Sequence, residues 1–409
     1  MATISNEDLL ELESRLSFMF FWEEANINPE SPGYGLIRDR APGGQDICSI
    51  ASVGYGLTGL VIAAERGWIS KSHAKERALG TLHTLLYNAE HINGFFYHFI
   101  DMETAKRAHQ SEVSVIDTAI AICGAITIGE YFGAEIKEAA HKLYERVNWE
   151  WYRNPETNQF YMGYTPERGH WASWDMYAEQ FMMYFLAIAS PTHPVNKEIF
   201  YDFKRQTGSY GGLPPFIYTW VGSLFTFQFS HAWFDLRNKV DLENVDWWEN
   251  SITATRTHRQ YCIDESKNFK TFGTRSWGLT ACDGPFGYRG NYGAPPSGKN
   301  SANDQHKPDG TVPPAGAIGS IVFTPDEVLD VMQYYYNEQP KLWGKYGFQD
   351  AYNLDAEPAW YGKDVIGIDK GISLLMLENY RTGLVWKYFM KNEYVQKGLK
   401  MAGFIKKSI

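Results

Sequence analysis

Cysteine is scarce in this chain: four in 409 residues, Cys48, Cys123, Cys262 and Cys282. No two of them form a CxxC pair and none shows zinc-type spacing, so neither a disulfide scaffold nor a metal site is indicated, and a bridge between Cys262 and Cys282 stays open. An excess of positive charge is also missing. The formal charge is -10 with no Lys/Arg cluster, which excludes nucleic acid or an anionic membrane as partner, because both need a basic face. No run of about 18 apolar residues stands out, and no basic segment followed by an apolar one opens the chain as given. Membrane insertion is therefore not expected. The compartment is left open: periplasmic or secreted if a leader was removed, cytoplasmic otherwise. No stretch reads as a linker, so one domain over 1–409 is expected, as a monomer. GxSxG, HExxH and P-loop motifs are absent, and no cofactor is implied.

Aromatic residues are plentiful at 16%. A large core accounts for such an excess as well as sugar binding does, since pyranose faces stack on aromatic planes. Helix-period patterns recur along the whole chain in two alternating kinds. Segments 5–25, 70–89, 134–152, 195–207, 246–266 and 324–341 have one wet face. Between them, segments 47–66, 113–132, 175–189, 219–235, 314–323 and 371–388 are apolar or small almost all round, as helices enclosed on every side must be. Six wet and six dry helices in alternation predict an all-α fold, an (α/α)6 toroid with an inner ring inside an outer one. Ser111 marks the start of the fourth helix, Pro191 to Pro194 close the sixth, and Thr324-Pro325-Asp326-Glu327 opens the eleventh. Gly54-Tyr55-Gly56-Leu57-Thr58-Gly59 matches GxGxxG but sits inside a helical pattern, so its glycines read as close helix packing rather than a dinucleotide site.

Three long connections, 26–46, 90–110 and 267–313, exceed what a compact fold needs and are expected to roof a cleft at one end of the toroid. They carry Arg38, Asp39, His98, Trp277, Asp283 and Tyr288. Acids within dry helices are the sharpest chemical signal, because a carboxylate is seldom buried without a partner or a task. These are Glu112 and Asp117 at the fourth helix, Glu179 in the sixth, and Asp369 and Glu378 in the twelfth. Capping, or pairing with Arg38, Arg275 or Arg381, explains Glu112 and Glu378 equally well. Trp171, Trp174 and Tyr177 precede Glu179 in WASWDMYAEQ and suggest an aromatic wall, although core packing explains many such stripes. His231 in FSHAWFD is read as a candidate substrate donor, with a satisfied core histidine the more ordinary explanation.

The phrases GLIRDR (35–40), WGLTACDGPFGY (277–288), DGTVPPAGAIGS (309–320) followed by FTPDE, and GIDKG with ENYRTGLVW (367–386) occur in that order. Together they resemble the glycoamylase-like family. That family includes the endo-β-1,2-glucanases of glycoside hydrolase family 144 and relatives of the glucanotransfer domain of cyclic β-1,2-glucan synthases. The resemblance spans essentially the whole chain. It implies an (α/α)6 fold, no metal in the chemistry, and endo-acting, inverting hydrolysis of a β-1,2-linked glucan. Carried over by motif, Glu179 is the expected general acid and Asp369 the expected base that activates water. Substrate contacts are expected from Arg38, Asp39, Glu112, Asp117, Trp171, Trp174, Tyr177, His231, Trp277, Asp283, Tyr288 and Tyr380. One departure is visible: many family 144 members carry a Gly-Asp-Leu-Val-Glu-Thr-Ala type stretch where this chain has residues 111–119, and Ser114 replaces an acid there. A retaining transglycosylase and a non-catalytic glucan-binding toroid stand as the alternatives; the first needs carboxyls about 5 Å apart rather than about 6.5 to 9.5 Å, and the second would show no turnover.

Overall fold

A computed structural model describes residues 4–299 and 304–407; residues 300–303 of the long 267–313 connection lie outside that description. The chain is mostly helical, with short two-stranded ribbons between helices. The helices are α1 Asn6–Glu23, α2 Ile50–Arg66, α3 Lys71–Tyr87, α4 Val115–Phe132, α5 Ala134–Glu145, α6 Trp149–Tyr152 and α7 Phe181–Ala189. They continue with α8 Phe229–Trp233, α9 Trp247–Asp264, α10 Pro314–Ile318, α11 Pro325–Glu338, α12 Gly367–Arg381, α13 Leu384–Phe389 and α14 Glu393–Met401.

The all-round apolar helices take the interior. Helix α2 packs on α4 and α12, α4 on α7, and α12 on α8 and α10, while the amphipathic α1, α3, α5 and α11 lie against them from outside. One continuous apolar cluster reaches from Leu9 to Phe404. Helix α4 is long and apolar enough, by length and composition, to cross a membrane, which the sequence reading overlooked; 78% of it is buried within the protein. The closest approach is between α2 and α4. A Cβ at Gly124 would stand 2.1 Å from the Gly54 carbonyl oxygen, and one at Gly54 would stand 2.4 Å from that of Ile120. These glycines are there because backbone meets backbone, as the reading of the GxGxxG segment expected.

Several expected helices are shorter or broken, where a competing hydrogen bond claims the backbone or a glycine takes a left-handed conformation. Residues 175–180 are not helical: Lys204 N–H donates to Asp175 O and Tyr177 N–H to Lys204 O, so α7 begins only at Phe181. The same bonds leave 195–207 with only a 3-10 turn, Lys197–Phe200. The 219–235 segment divides into a turn at Leu224–Phe227 and the short α8, because Gly222 adopts φ 70° against the Ala294 carbonyl. The 371–388 segment begins earlier, at Gly367, and is interrupted at Gly383, whose φ is 69°. Helix α14 has no counterpart in the sequence reading. Ser114, not Ser111, caps α4 by accepting the Asp117 N–H, and the Thr324 hydroxyl makes no cap although Pro325 opens α11 as expected. All four cysteines are buried and free, so no bridge joins Cys262 to Cys282.

The approaches to α2, α4 and α12 are stitched to one another at the same end of the molecule. Ile47–Ser49 pairs with Phe99–Asp101, Arg40–Ala41 pairs with Val365–Ile366, and Val113 bridges Tyr97 and Tyr164. The Gly367 N–H, first in α12, donates to Asp39 O at 2.7 Å, and the His98 N–H donates to Glu112 O at 2.8 Å. Three helix entrances are thereby held in register. Beneath them Lys370 of α12 meets Glu13 of α1 at 2.6 Å, both buried, and Glu13 also accepts the Phe348 N–H.

Gly124→Ala is expected to lower stability by about 1–3 kcal/mol, the ordinary cost of overpacking a rigid contact. Chemical denaturation of the variant beside the wild type measures it, and an unchanged midpoint would mean the α2–α4 contact yields easily.

Candidate active site

The helix entrances bring side chains of four distant segments into one acidic cluster. Asp117, in the first turn of α4, accepts a 2.5 Å bond from the Ser114 hydroxyl, so the serine that replaces an acid both caps the helix and orients this carboxylate. His98 contacts Glu112 at 2.9 Å through Nδ1 and lies 3.9 Å from Asp117 through Nε2, its ring stacked on Phe99. Arg40 pairs with Asp283 at 2.8 Å and with Asp39 and Asp364 at 3.4 Å. The Asp283 N–H donates to Asp350 at 2.7 Å, and Asp350 and Asp369 line one small interior cavity. On the other side lies Glu179, in the bend before α7. The buried Tyr55 hydroxyl of α2 lies within electrostatic reach of Asp369, Asp117 and Glu179 together, so these three acids surround one interior point.

Proton affinities follow from this crowding. Burial raises Glu179 to about 7, with the negative charge of Asp117 adding to it. Burial also raises Asp350 and Asp369, and each feels the negative charge of Asp283. Asp39 is raised by burial despite Arg40. Burial works against a charge on His98, but Asp117, Glu112 and Asp39 outweigh it and lift the imidazole to about 9. Glu112 is then lowered: burial opposes its charge, and the bond to His98 favours it more. Among the described residues His98, Glu112 and Asp117 form the one group whose ligand atoms, within 4.8 Å of one another, have the arrangement of a cation site. At neutral pH the imidazolium already supplies positive charge there.

A cleft of about 760 Å³ runs along residues 170–178, ending one residue before Glu179, with Trp220 and Lys299 also in its lining. Trp171 and Trp174 line it, and Met162 and Trp220 stand open to solvent. A groove of about 620 Å³ between residues 27–34 and α3 is similar in size, but its Glu30, Glu76 and His83 are exposed, without the buried carboxyls that chemistry requires.

Of the residues singled out in the sequence, Glu179, Asp369, Asp39, Glu112, Asp117, Asp283 and Tyr288 meet in the cluster, and Trp171 and Trp174 in the cleft. The others do not. Arg38 is spent on Glu24 at 2.5 Å and on Gln45 O, because Arg40, two residues on, takes the inward side. Tyr177 touches the cleft but packs its ring against Trp247 and Phe181 in the core. His231 is a core histidine, bonded to Ser251 at 3.1 Å between Trp248 and Phe323 and lowered to about 4 by burial. Trp277 is fully buried. Tyr380 sits in the last turn of α12, roughly 16 Å along the axis from Asp369 in the first. Glu378 is paired with Arg66 there. Sequence reasoning missed Arg40, His98, Tyr55 and Asp350 as site residues. Tyr55 had a signal, a hydroxyl among the glycines of a dry helix; Asp350, a lone acid in the aromatic stretch YGFQDAYN, had almost none.

A mostly helical protein that gathers buried carboxyls beside an aromatic cleft is the class these features define. The Glycoamylase family model, described as "Putative glucoamylase", matches residues 172–393, more than half of the chain, and the chain belongs to that family. An endo-beta-1,2-glucanase of Chitinophaga pinensis, solved with sophorotriose and glucose, is 28% identical, covering 98% of this chain and 99% of its own, with a TM-score of 0.84. A beta-1,2-glucanase structure from Parabacteroides distasonis is 26% identical over 98% of this chain and 60% of its own, TM-score 0.84. The exo beta-1,2-glucooligosaccharide sophorohydrolase (non-reducing end) of the same species is 27% identical over 98% of this chain. The chain spans 59% of that relative's length.

A carboxyl raised on folding contributes stability that is fully present below its unfolded value, near 4, and lost as pH rises through about 7. Glu179→Gln removes that loss. The variant is expected to exceed the wild type by about 2–3 kcal/mol near pH 8 and to show no such gain near pH 4, as read by denaturant titration at both.

Proposed function

We propose that the protein is a glycoside hydrolase that cleaves β-1,2-glucan internally and with inversion, in a single-domain (α/α)6 toroid. The observation that carries this reading is Glu179: a carboxyl buried beside an aromatic cleft and raised to about 7, hence still protonated at the pH where the donor must act. Glu179 gives its proton to the glycosidic oxygen as the bond from that oxygen to the anomeric carbon breaks. Water attacks the same carbon from the opposite face, forming the new carbon–oxygen bond, and its proton passes to Asp369 directly or through a substrate hydroxyl. The free chain end leaves as an alcohol, and each carboxyl returns to its starting state by exchange with solvent. The relatives' printed activities support β-1,2-glucan as substrate. The cleft's solvent-open side at Met162 and Trp220 suits a chain that runs past the cut on both sides. The order of packed inner helices, α2 with α4, α4 with α7, and α12 with α2, α8 and α10, supports the toroid.

Incubation with linear β-1,2-glucan, beside β-1,3-, β-1,4- and α-1,4-glucans, tests the reading. Short β-1,2-gluco-oligosaccharides are expected from the first alone, appearing initially as the α-anomer by NMR. Glu179→Gln is expected to lose about 10²–10⁴-fold in kcat while still binding. The wild-type rate should peak narrowly near pH 7, because Asp369, itself raised to about 7, must ionise while Glu179, raised to about 7, must keep its proton. No product from any glucan would favour a binding protein, and longer products without new reducing ends would favour transglycosylation.

A further inference from the structure

Asp350 has no role in the chemistry described so far, yet it is one of the least accessible carboxyls in the molecule, 4% exposed against 5% for Asp369. Its placement is tightly determined. The Asp350 N–H donates to Asp364 O at 3.0 Å, and its Oδ2 accepts the Asp283 N–H at 2.7 Å. Its Oδ1 is buried and receives no donor, and the same is true of Asp369 Oδ2. The two carboxyl groups line the same small interior cavity, near enough to act on each other's proton.

Two buried carboxylates at that separation repel strongly unless a cation or a proton lies between them. The surrounding groups supply no free cation. Lys370 follows Asp369 in α12 but turns to Glu13 at 2.6 Å and to Phe348 O. Arg40 faces the pair from the 40–41 strand and is already shared by Asp283, Asp39 and Asp364. The remaining neighbours are Cys282 of the hairpin and Tyr55 of α2, held neutral by burial and by the same acids, and the half-exposed Tyr288, held neutral by those acids. A proton is what remains. Because the Asp283 amide occupies Oδ2 of Asp350, Oδ1 is the oxygen free to carry it.

We propose that Asp350 is a positioning residue for the hydrolysis: a neutral carboxylic acid that donates a hydrogen bond to Asp369, favouring the ionised form of that carboxylate against the cost of burial and turning it toward the attacking water. The inference rests on the reading of Asp369 as base. Asp350 loses no proton in the cycle; the water proton goes to Asp369 and from there to solvent. The arrangement follows the general rule that adjacent acids share one proton and divide the roles of donor and acceptor.

Asp350→Asn and Asp350→Ala separate this from a merely structural role, measured as kcat/KM on linear β-1,2-glucan across pH. Asn retains a neutral donor and should leave the acidic limb of the profile where the wild type has it, even with a few-fold lower kcat. Ala leaves Asp369 dry and without a donor. Its limb should move to higher pH, with about tenfold more activity lost near pH 6 than near pH 8. An Asn variant whose limb moves to lower pH would overturn the proposal, because Asp350 would then be ionised in the wild type. So would an Ala variant that loses one constant factor at every pH. Thermal unfolding of the wild type and Asp350→Asn over the same range needs no substrate. The Asn variant is expected to gain stability over the wild type as pH rises above about 4, because the unfolded wild type releases the Asp350 proton that the folded protein holds, and matching pH dependence overturns the neutral acid. If the wild type yields no product while the Asn variant gains stability with pH in this way, the hydrolase reading fails and the shared proton stands.

Discussion

Helices α2 and α4 meet backbone to backbone, and much of the site depends on that contact. With Gly54 and Gly124 facing each other, no side chain separates the two helices, so their entrances open side by side. Tyr55, next to Gly54, then turns toward α12, where Gly371 leaves room for its ring: a Cβ there would lie 2.2 Å from the ring carbon Cγ. One tyrosine thus becomes the spacer between three inner helices and carries a hydroxyl into the middle of the acids. Short strand pairs at the same end keep the entrances from sliding. These helices can build a precise cluster because each is pinned at its start, where the acids sit.

The second constraint is charge in a dry place. Around the entrances stand Asp39, Glu112, Asp117, Glu179, Asp283, Asp350, Asp364 and Asp369, against Arg40 and His98 as the cations in contact with them. Such an imbalance is relieved by protons rather than by ion pairs, so several acids hold protons into the neutral range. For chemistry that needs one carboxyl protonated and another ionised at the same pH, this supplies both forms without a metal-binding or nucleophile motif. The stability given up by burying acids is the kind of local cost expected at a functional site.

Much of the architecture was legible from pattern. The dry segments at 47–66 and 113–132 became α2 and α4, and the wet ones at 5–25, 70–89, 246–266 and 324–341 became α1, α3, α9 and α11. Where the reading failed, it failed for a common reason. Residues 175–180 and 195–207 have helical composition, but they exchange backbone hydrogen bonds with each other, a partnership about 28 residues apart that no local period encodes. In the site, Glu179 and Asp369 were legible because a carboxylate inside an apolar run is conspicuous. Arg38 was preferred to Arg40 although both flank Asp39, and only the folded chain sends Arg38 to Glu24 and Arg40 to Asp283 and Asp364. His231 and Trp277 attracted notice by type and turned out to be core.

By itself the sequence determined which segments must be buried and which acids would go in with them, because hydrophobic period and residue type are local properties of the chain. It also contained the family's motifs in order. Tertiary structure alone decided which acids meet. The cavity shared by Asp350 and Asp369, the imidazole between Glu112 and Asp117, and Arg40 shared among Asp39, Asp283 and Asp364 join residues up to 324 positions apart. Proton affinity depends on distance and on exclusion of water, and both exist only once the helices have packed.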